Sequence, residues 1–360
     1  MRAIVLGASG AVGRSCVAAL LARNVEVVAV GRAPERVAAA CPGAQIHPGL
    51  DLDHLIAGRL PGDELQDLLA GADVVVCCAG PSHRYSAAVA RMVLFAGVPL
   101  VDPGGEHAVD DLDPLARAAG TWAMLGSGVQ PGLSGLAVAA ALERLGRTPK
   151  EVRGWCGGLQ PLTAAGVDEY LHAATSGDRV GLRLLNHNRV RVRPEHSPAP
   201  PSPFPSSTNA HTHLDPECEA LAARAGAASV HWLNVTDGMV TEAVLRRCLS
   251  GEQNPSDAVA AADTDLFGRD PYFHILVEAL ADDDRGWARV SCRDSYAATG
   301  AVAAACALGE RPHGAHLLSA TGQPGAAWDA LSTALLPRVS LSSGRGPGYG
   351  HAAAVEEGEL

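Results

Sequence analysis

The sequence lacks the features that mark several specialised classes of protein. No window holds about eighteen uninterrupted apolar residues, so a transmembrane helix is not expected. The nine cysteines include no C-x-x-C pair, which argues against a structural zinc site, and their scatter favours a reduced, mostly buried set over a disulfide framework. The net charge of −11 argues against nucleic acid or an anionic membrane as the main partner.

We expect no signal peptide, because residues 1–6 already read as a buried strand. We therefore expect a cytoplasmic protein. The 360 residues are enough for two domains, each with its own core, and 47% apolar and 19% charged residues are typical of a globular chain.

The first thirty residues have the order strand, glycine turn, helix, strand. Residues 1–6 and 25–30 are short, mostly apolar runs typical of buried strands, and residues 14–23 have the apolar spacing of a helix. Residues 7–13 between them carry glycines in the pattern G-x-x-G-x-x-G. This order predicts a dinucleotide-binding unit, and a purely structural glycine turn is the alternative.

Each glycine of this turn has a physical task in such a unit. Gly7 permits the tight bend, Gly10 lets the backbone approach a pyrophosphate, and Gly13 lets the helix pack closely on the strand. The free N–H groups at the helix N-terminus suit phosphate oxygens.

The end of the second strand indicates which cofactor is bound. A carboxylate there would bind the ribose 2′-hydroxyl of NAD, but this chain has Gly31 and Arg32. A guanidinium is planar, permanently charged and bidentate, which suits a 2′-phosphate. The sequence therefore predicts NADP(H), with an ordinary solvated arginine as the alternative.

Strand and helix patterns continue to alternate along the first part of the chain. Apolar strands are predicted at 74–79, 97–101 and 121–125, and helices at 86–96 and 112–119. This alternation predicts an α/β domain of the Rossmann type, a doubly wound parallel sheet, over residues 1–130.

The pattern changes after Pro131. Residues 272–278 and 287–292 alternate between apolar and polar side chains and predict a hairpin around an acidic turn at 282–286. We expect an α+β substrate and dimerisation domain at 131–293 with a mainly antiparallel sheet. A loop rich in Pro and Ser is expected at 194–207.

The C-terminal region is divided into two parts by its composition. Residues 294–340 are expected to form a helical segment that returns to the first domain. Residues 341–360, which are rich in Gly and Ser at first and end with acidic residues, are expected to form a flexible tail.

Several segments together resemble the saccharopine dehydrogenase-like reductases. They are residues 7–13, 78–81, 96–102, 128–134, 157–161 and 294–300. The resemblance implies a Rossmann domain with an inserted substrate and dimerisation domain, a homodimer, and hydride transfer with a nicotinamide cofactor. It also implies reduction of an imine, or the reverse oxidation of an opine-like amine.

The ends of the predicted parallel strands are the expected cofactor site, because ligands bind beyond the carboxyl ends of such strands. The predicted cofactor-binding residues are Gly7, Ser9, Gly10, Ala11, Val12, Gly13, Arg32, Ala79, Gly80, Pro81, Asp102, Gly104 and Gly105. The segment 211–218 contains metal-type ligands without a familiar spacing, so no metal site is predicted.

Three residues are candidates for catalysis. His83 and Arg84 open the helix after the fourth strand, and Arg84 is suited to a substrate carboxylate. Tyr170 comes from the second domain. For each of them a solvated, capping or packing role is the alternative.

The sequence predicts an NADPH-dependent oxidoreductase that reduces a C=N bond of a small metabolite, free or carried on a protein, in specialised metabolism. A C=C or C=O reductase on the same scaffold is a second hypothesis. A non-catalytic NADP(H) sensor is the third, although no DNA-binding segment accompanies it.

Overall fold

The structure is a computed structural model. It describes residues 1–58, 62–176, 179–193, 198–309, 311–320 and 324–347. Within these ranges the chain folds into two β-sheets with helices packed on them. None of the helices described there has both the length and the apolar character needed to cross a membrane.

The first sheet has seven parallel strands in the order β14-β6-β5-β4-β1-β2-β3. They are β1 (Arg2–Leu6), β2 (Glu26–Val30), β3 (Gln45–Ile46), β4 (Val74–Cys77), β5 (Leu100–Val101), β6 (Trp122–Leu125) and β14 (Gly314–Leu317). The central strands are buried on both faces, which explains their continuous apolar runs.

Helices cover both faces of this sheet. They are α1 (Ala11–Leu21), α2 (Pro34–Ala40), α3 (Leu52–Ile56), α4 (Gly62–Leu69), α5 (Ser82–Phe95), α6 (Val109–Ala118) and α12 (Ser295–Ala307). Helices α1 and α12 pack together over one face, and α5 and α6 belong to the separate core cluster on the other. Gly300 allows the close approach of α12 to α1, because a Cβ there would lie 2.7 Å from the backbone nitrogen of Cys16.

The second sheet has eight strands, seven of them in the order β15-β13-β12-β7-β11-β8-β9, with β10 paired to β11. They are β7 (Glu151–Leu159), β8 (Leu182–Leu185), β9 (Asn188–Arg191), β10 (Asn209–Thr212), β11 (Ser229–Thr236), β12 (Tyr272–Ala281), β13 (Asp284–Cys292) and β15 (Val339–Arg345). Only the β7–β11 pair is parallel among these described strands.

Six further helices accompany the second sheet in the described residues. They are α7 (Leu133–Leu145), α8 (Ala164–Ser176), α9 (Pro216–Arg224), α10 (Met239–Leu249), α11 (Pro255–Leu266) and α13 (Pro324–Ala334). Helix α7 packs on β12 and β13, and α8, α10 and α11 pack against one another. Together with the parallel sheet, this arrangement confirms the predicted fold class.

The C-terminal prediction needs two corrections. The segment 294–340 is not only helical, because β14 extends the parallel sheet beside β6. Residues 341–345, predicted to be in a flexible tail, lie in β15, which pairs with β13 from Val339 opposite Cys292 to Arg345 opposite Gly286. Their Gly and Ser content hid the strand, in which Leu341 packs against the core. Residues 348–360 lie outside the described residues.

Two predicted connections also differ from the structure. The acidic turn is shorter than expected, because β12 continues to Ala281 and β13 begins at Asp284, leaving Asp282 in the left-handed region at φ 52°. In the predicted loop at 194–207, residues 194–197 lie outside the described residues. Its later part includes Phe204, which is buried in a core cluster with Trp155.

Candidate functional site

A cavity of about 1060 Å³ lies between the two sheets and their helices. One side is formed by loops that follow β1, β2, β4, β5 and β6 at their carboxyl ends. The other side is formed by α8 and by the segment from β10 to the first turn of α9. The cavity therefore meets the parallel sheet where ligands of such sheets bind.

The glycine turn forms the end of the cavity beside β1. Gly7 has φ +73°, and a Cβ on it would lie 2.8 Å from the backbone of Ala79. Gly10 lines the cavity and precedes α1, whose N-terminus has no side-chain cap. Uncapped N–H groups next to a glycine that leaves space suit a pyrophosphate, so these residues fit a dinucleotide. Gly13 faces inward, where a Cβ would overlap the carbonyl oxygen of Gly7.

Most of the predicted cofactor-binding residues line this cavity. They are Gly7, Ser9, Gly10, Ala11, Val12, Arg32, Ala79, Gly80, Asp102 and Gly104. Three others, Gly13, Pro81 and Gly105, are not part of its lining. Pro81 precedes the first turn of α5, and Gly105 has φ +75° where the chain enters a 3₁₀ turn.

Two arginine side chains lie beyond the carboxyl end of β2. Arg32 and Arg36, the latter on α2, both line the cavity, and Arg32 is exposed. Asp51 lines the same region, but its Oδ1 accepts a hydrogen bond from the backbone N–H of Asp53 at 2.9 Å. The pair of arginines fits an anionic substituent on the cofactor ribose.

Asp102 follows β5 and is only 2% exposed. Its Oδ1 accepts a hydrogen bond from the Gly104 N–H at 2.8 Å. Burial raises the pKa of this carboxyl to about 7, although the Gly104 amide and the polar groups of Ser86 and Cys77 oppose the rise. Asp102 can therefore hold a proton near neutral pH inside the cavity.

The wall from the second domain contributes further carboxylates. Asp215 is the N-cap of α9, where its Oδ1 accepts a hydrogen bond from the Cys218 N–H at 2.7 Å. Glu217 accepts hydrogen bonds from the Gly132 N–H at 3.3 Å and from the hydroxyls of Ser134 and Ser319. Burial, followed by the charge of Asp215, raises the pKa of Glu217 to about 7.

The predicted catalytic residues are not brought together. His83 and Arg84 do not line the cavity, whereas Tyr170 does. His83 has Nε2 3.7 Å from Asp168 Oδ2 and Nδ1 3.5 Å from Glu169 Oε2. Arg84 is paired with Asp53 at 2.9 Å. His83 and Arg84 are thus paired with carboxylates outside the cavity lining, and this geometry does not support the catalytic roles predicted for them.

Sequence reasoning missed most of the acidic lining. Glu169, Asp215 and Glu217 were not among the predicted site residues, and Asp215 and Glu217 stood out only as metal-type ligands. No group of His, Cys, Asp and Glu suited to a metal ion occurs among the residues that the structure describes. The Asp-Pro start of α9 was a detectable signal, because Asp at the N-cap before Pro marks a helix N-terminus.

Tyr296 of α12 also lines the cavity. Its hydroxyl lies 3.3 Å from the Thr163 N–H, from which it accepts a hydrogen bond, so it connects α12 to the segment before α8. Its role in the described structure is to support the cavity wall.

Comparisons with known proteins agree with this geometry. Residues 7–98 match a family model described as NAD(P)H-binding. The chain is similar to saccharopine dehydrogenase (L-Glu forming) from Saccharomyces cerevisiae, with 14% identity, a TM-score of 0.66, and coverage of 95% of this chain and 99% of that chain. A search of curated proteins found none that matches this chain.

Two weaker likenesses were also found. Dihydrodipicolinate reductase from Paenisporosarcina sp. TG-14 shows 13% identity over 90% of this chain and 98% of that chain, with a TM-score of 0.41. The WlbA (WbpB) dehydrogenase from Thermus thermophilus shows 14% identity over 74% and 94%, with a TM-score of 0.37. The resemblance expected from the sequence is confirmed at the level of the fold: this chain has the fold of saccharopine dehydrogenase, with an NAD(P)H-binding domain at its N-terminus.

Proposed function

We propose that the protein is an NADPH-dependent oxidoreductase of the saccharopine dehydrogenase-like family, which reduces a C=N bond of a small metabolite or catalyses the reverse oxidation. One observation carries the proposal. A single cavity joins the glycine turn and Arg32 to a compartment lined by buried carboxyl groups of both domains. A dinucleotide and a small substrate can therefore meet inside it.

The chain's own residues supply binding, orientation and exclusion of water. The N–H groups at the start of α1 bind the pyrophosphate, Arg32 and Arg36 bind the 2′-phosphate, and Gly80 and Gly104 leave room at the strand ends. When bound there, NADPH would supply the hydride for the imine carbon, and the electron pair of the C=N bond would be left on nitrogen.

The proton for the product nitrogen can come from a carboxyl group of the lining. Asp102 has a pKa of about 7 and lines the cavity, so it retains a proton near neutral pH and can release it to a stronger base. An iminium ion needs no proton before hydride transfer, so proton donation by this acid contributes less to the reaction than it would in carbonyl reduction.

A C=O or C=C reductase remains the second candidate because of Tyr170. Its side chain lines the cavity, is 40% exposed, and has a pKa raised by burial and by the charge of Glu242. A protonated phenol at the cavity surface can donate a hydrogen bond to a carbonyl oxygen, which an imine does not require.

The test is consumption of NADPH, followed by its absorbance, with matched panels of cyclic imines, ketones and enones. Turnover of imines at least about tenfold faster than of their ketone counterparts is expected, with NADH less effective. The variant Gly10→Val is the control, since it should lose cofactor binding. Faster reduction of the ketones or enones would replace the imine proposal, and tight NADPH binding without turnover of any panel would favour a sensor.

We also propose a cytoplasmic homodimer that acts on a small molecule, not on nucleic acid or a membrane. The second domain leaves large apolar side chains exposed, with Phe267 at 90% and Met239 at 81%. Met239 is the first residue of α10, and Phe267 directly follows α11. Asp265 of α11 accepts a hydrogen bond from the Thr241 N–H of α10, so both exposed side chains lie where the two helices are joined. Light scattering should give twice the chain mass at all concentrations, and a constant monomer mass would contradict the proposal.

A further inference from the structure

Arg84 belongs to a group of three side chains that joins α5 to α3. Its Nη2 lies 2.9 Å from Asp53 Oδ1, and the Tyr85 hydroxyl donates a hydrogen bond to the same oxygen at 2.8 Å. The Arg84 guanidinium also lies over the Tyr85 ring, 5.4 Å from its centroid. These three side chains are defined here as the Arg84 cluster, in which the Asp53 carboxylate has a positive partner.

The Arg84 cluster lies beside the chain segment that follows β2. The backbone N–H of Leu50 donates a hydrogen bond to the carbonyl oxygen of Gly31 at 3.1 Å. A Cβ on Gly49 would lie 3.6 Å from the carbonyl oxygen of Arg32. This segment continues directly into α3, of which Asp53 is the second residue. The chain that carries Asp53 therefore runs along the arginine that we assign to the 2′-phosphate.

The Tyr85 hydroxyl connects the cluster to Arg32 electrostatically. Tyr85 is buried and lines the cavity, as Arg32 does, whereas Asp53 and Arg84 are outside the lining. Burial raises the pKa of the Tyr85 hydroxyl, and the hydrogen bond and the charge of Asp53 raise it further. The positive charges of Arg84 and Arg32 oppose this rise. Arg32 and the cluster thus share one electrostatic environment.

The charge of Asp53 would oppose the binding of a phosphate if it had no partner. Neither Arg32 nor Arg36 forms an ion pair in the part of the chain that the structure describes, so both guanidinium groups are available to an anion. Asp53 is instead paired with Arg84. Without Arg84, this carboxylate would attract the two guanidinium groups and repel a phosphate dianion.

We propose that Arg84 sets the cofactor preference from outside the cavity, by neutralising Asp53 so that the end of β2 stays cationic and accepts the 2′-phosphate of NADPH. This inference rests on the proposed function, since it takes Arg32 as the phosphate ligand. Arg84 acts through Asp53 and is therefore a positioning residue. NADH has a hydroxyl in place of that phosphate, so its binding depends little on this balance of charges.

The test is calorimetric titration of the protein with NADPH and with NADH at low ionic strength. Arg84→Gln leaves Asp53 without its positive partner and should raise the Kd of NADPH about three- to tenfold, whereas the Kd of NADH should change less than about twofold. Salt at about 0.5 M should reduce the difference between wild type and variant, because it screens exposed charges. Arg84→Lys keeps the positive charge and should retain most of the wild-type preference.

A second substitution assigns the effect to Asp53. In the double variant Arg84→Gln/Asp53→Asn the carboxylate is gone, and the amide oxygen of Asn can still accept the Tyr85 hydrogen bond. The Kd of this variant for NADPH should return to within about twofold of the wild-type value. Arg91→Gln is the matched control, because Arg91 is an exposed arginine of the same helix, 3.8 Å from Asp111 and outside the cavity lining, and it should change neither Kd. Thermal melts check that each variant is folded.

The outcomes separate this inference from the proposed function. An unchanged Kd of NADPH in Arg84→Gln, an equal loss of NADPH and NADH affinity, or a loss that persists in the double variant overturns it. A wild type without preference for NADPH overturns it together with the assignment of Arg32. Imine turnover is measured separately, so a protein that binds NADPH selectively but reduces no imine contradicts the proposed reaction, while the affinity ratios still decide the role of Arg84.

Discussion

Glu169 on α8 accepts a hydrogen bond through Oε1 from the backbone N–H of Ser82, at the N-terminus of α5. Helix α5 packs on the parallel sheet and α8 accompanies the second sheet, so this contact joins the two domains at the edge of the cavity. The helix has no cap of its own, because Pro81 precedes it. Oε2 of the same carboxylate lies 3.5 Å from His83, whose ring stacks on that of His172 with centroids 3.9 Å apart.

Glu169→Ala should therefore destabilise the protein and weaken cofactor binding together. Loss of a capping carboxylate costs about 1–2 kcal/mol, and Ser82, which lines the cavity, would lose its fixed position. Chemical denaturation and an NADPH titration measure the two effects. Asp168→Ala is the matched control: its carboxylate is 3.7 Å from His83 and half exposed, so it should cost about 0.5 kcal/mol or less. Equal losses in the two variants would contradict the capping role.

Arg32→Ala should remove most of the preference for NADPH over NADH. The guanidinium lines the cavity at the end of β2, and a charge-assisted contact to the 2′-phosphate contributes about 1.5–3 kcal/mol. Titration of both cofactors with wild type and variant measures the change. Arg91→Ala, an exposed arginine of α5, removes the same charge away from the site and should leave the preference intact. Equal affinities of the wild type for NADPH and NADH would refute the assignment.

Gly10→Val and Gly13→Val should fail in different ways. A Cβ at Gly10 meets only the Gly7 carbonyl oxygen, at 3.2 Å, so the variant should fold and lose NADPH binding because its side chain fills the pyrophosphate site. A Cβ at Gly13 overlaps the backbone of Gly7 and Ala8, so this variant should lose about 1–3 kcal/mol or more of stability. Thermal melts and cofactor titrations separate the two. If the Gly10→Val variant bound NADPH with unchanged affinity, the glycine turn would have only a structural role.

Much of the first domain could be predicted because its signals are local. The glycine turn lies where the sequence placed it, between β1 and α1. The set of carboxyl groups in the cavity could not be predicted, because Asp102 and Asp215 are far apart in sequence and line one cavity only through the docking of the two sheets. Strand β15 was missed for a similar reason, since its pairing partner β13 lies about fifty residues earlier.

The raised pKa of Asp102 gives a pH dependence of stability with a definite sign. The folded state holds the proton up to about pH 7, whereas the unfolded chain releases it near the ordinary aspartate pKa of 3.8. The folded state therefore binds more protons between these values, and the free energy of unfolding falls as the pH rises through this window. For one group the loss is on the order of 4 kcal/mol over the whole window.

Asp102→Asn should remove this contribution without removing the Gly104 hydrogen bond, because the amide oxygen of Asn can accept it. Relative to wild type, the variant should gain about 3 kcal/mol between pH 5 and pH 8, measured by urea denaturation at both values. Glu217 contributes a dependence of the same sign to both proteins, so it cancels in the difference. Asp110→Asn, at an exposed position in the first turn of α6, should show no such gain. A difference between Asp102→Asn and wild type that stays constant from pH 5 to pH 8 would mean that the Asp102 carboxyl is already ionised at pH 5.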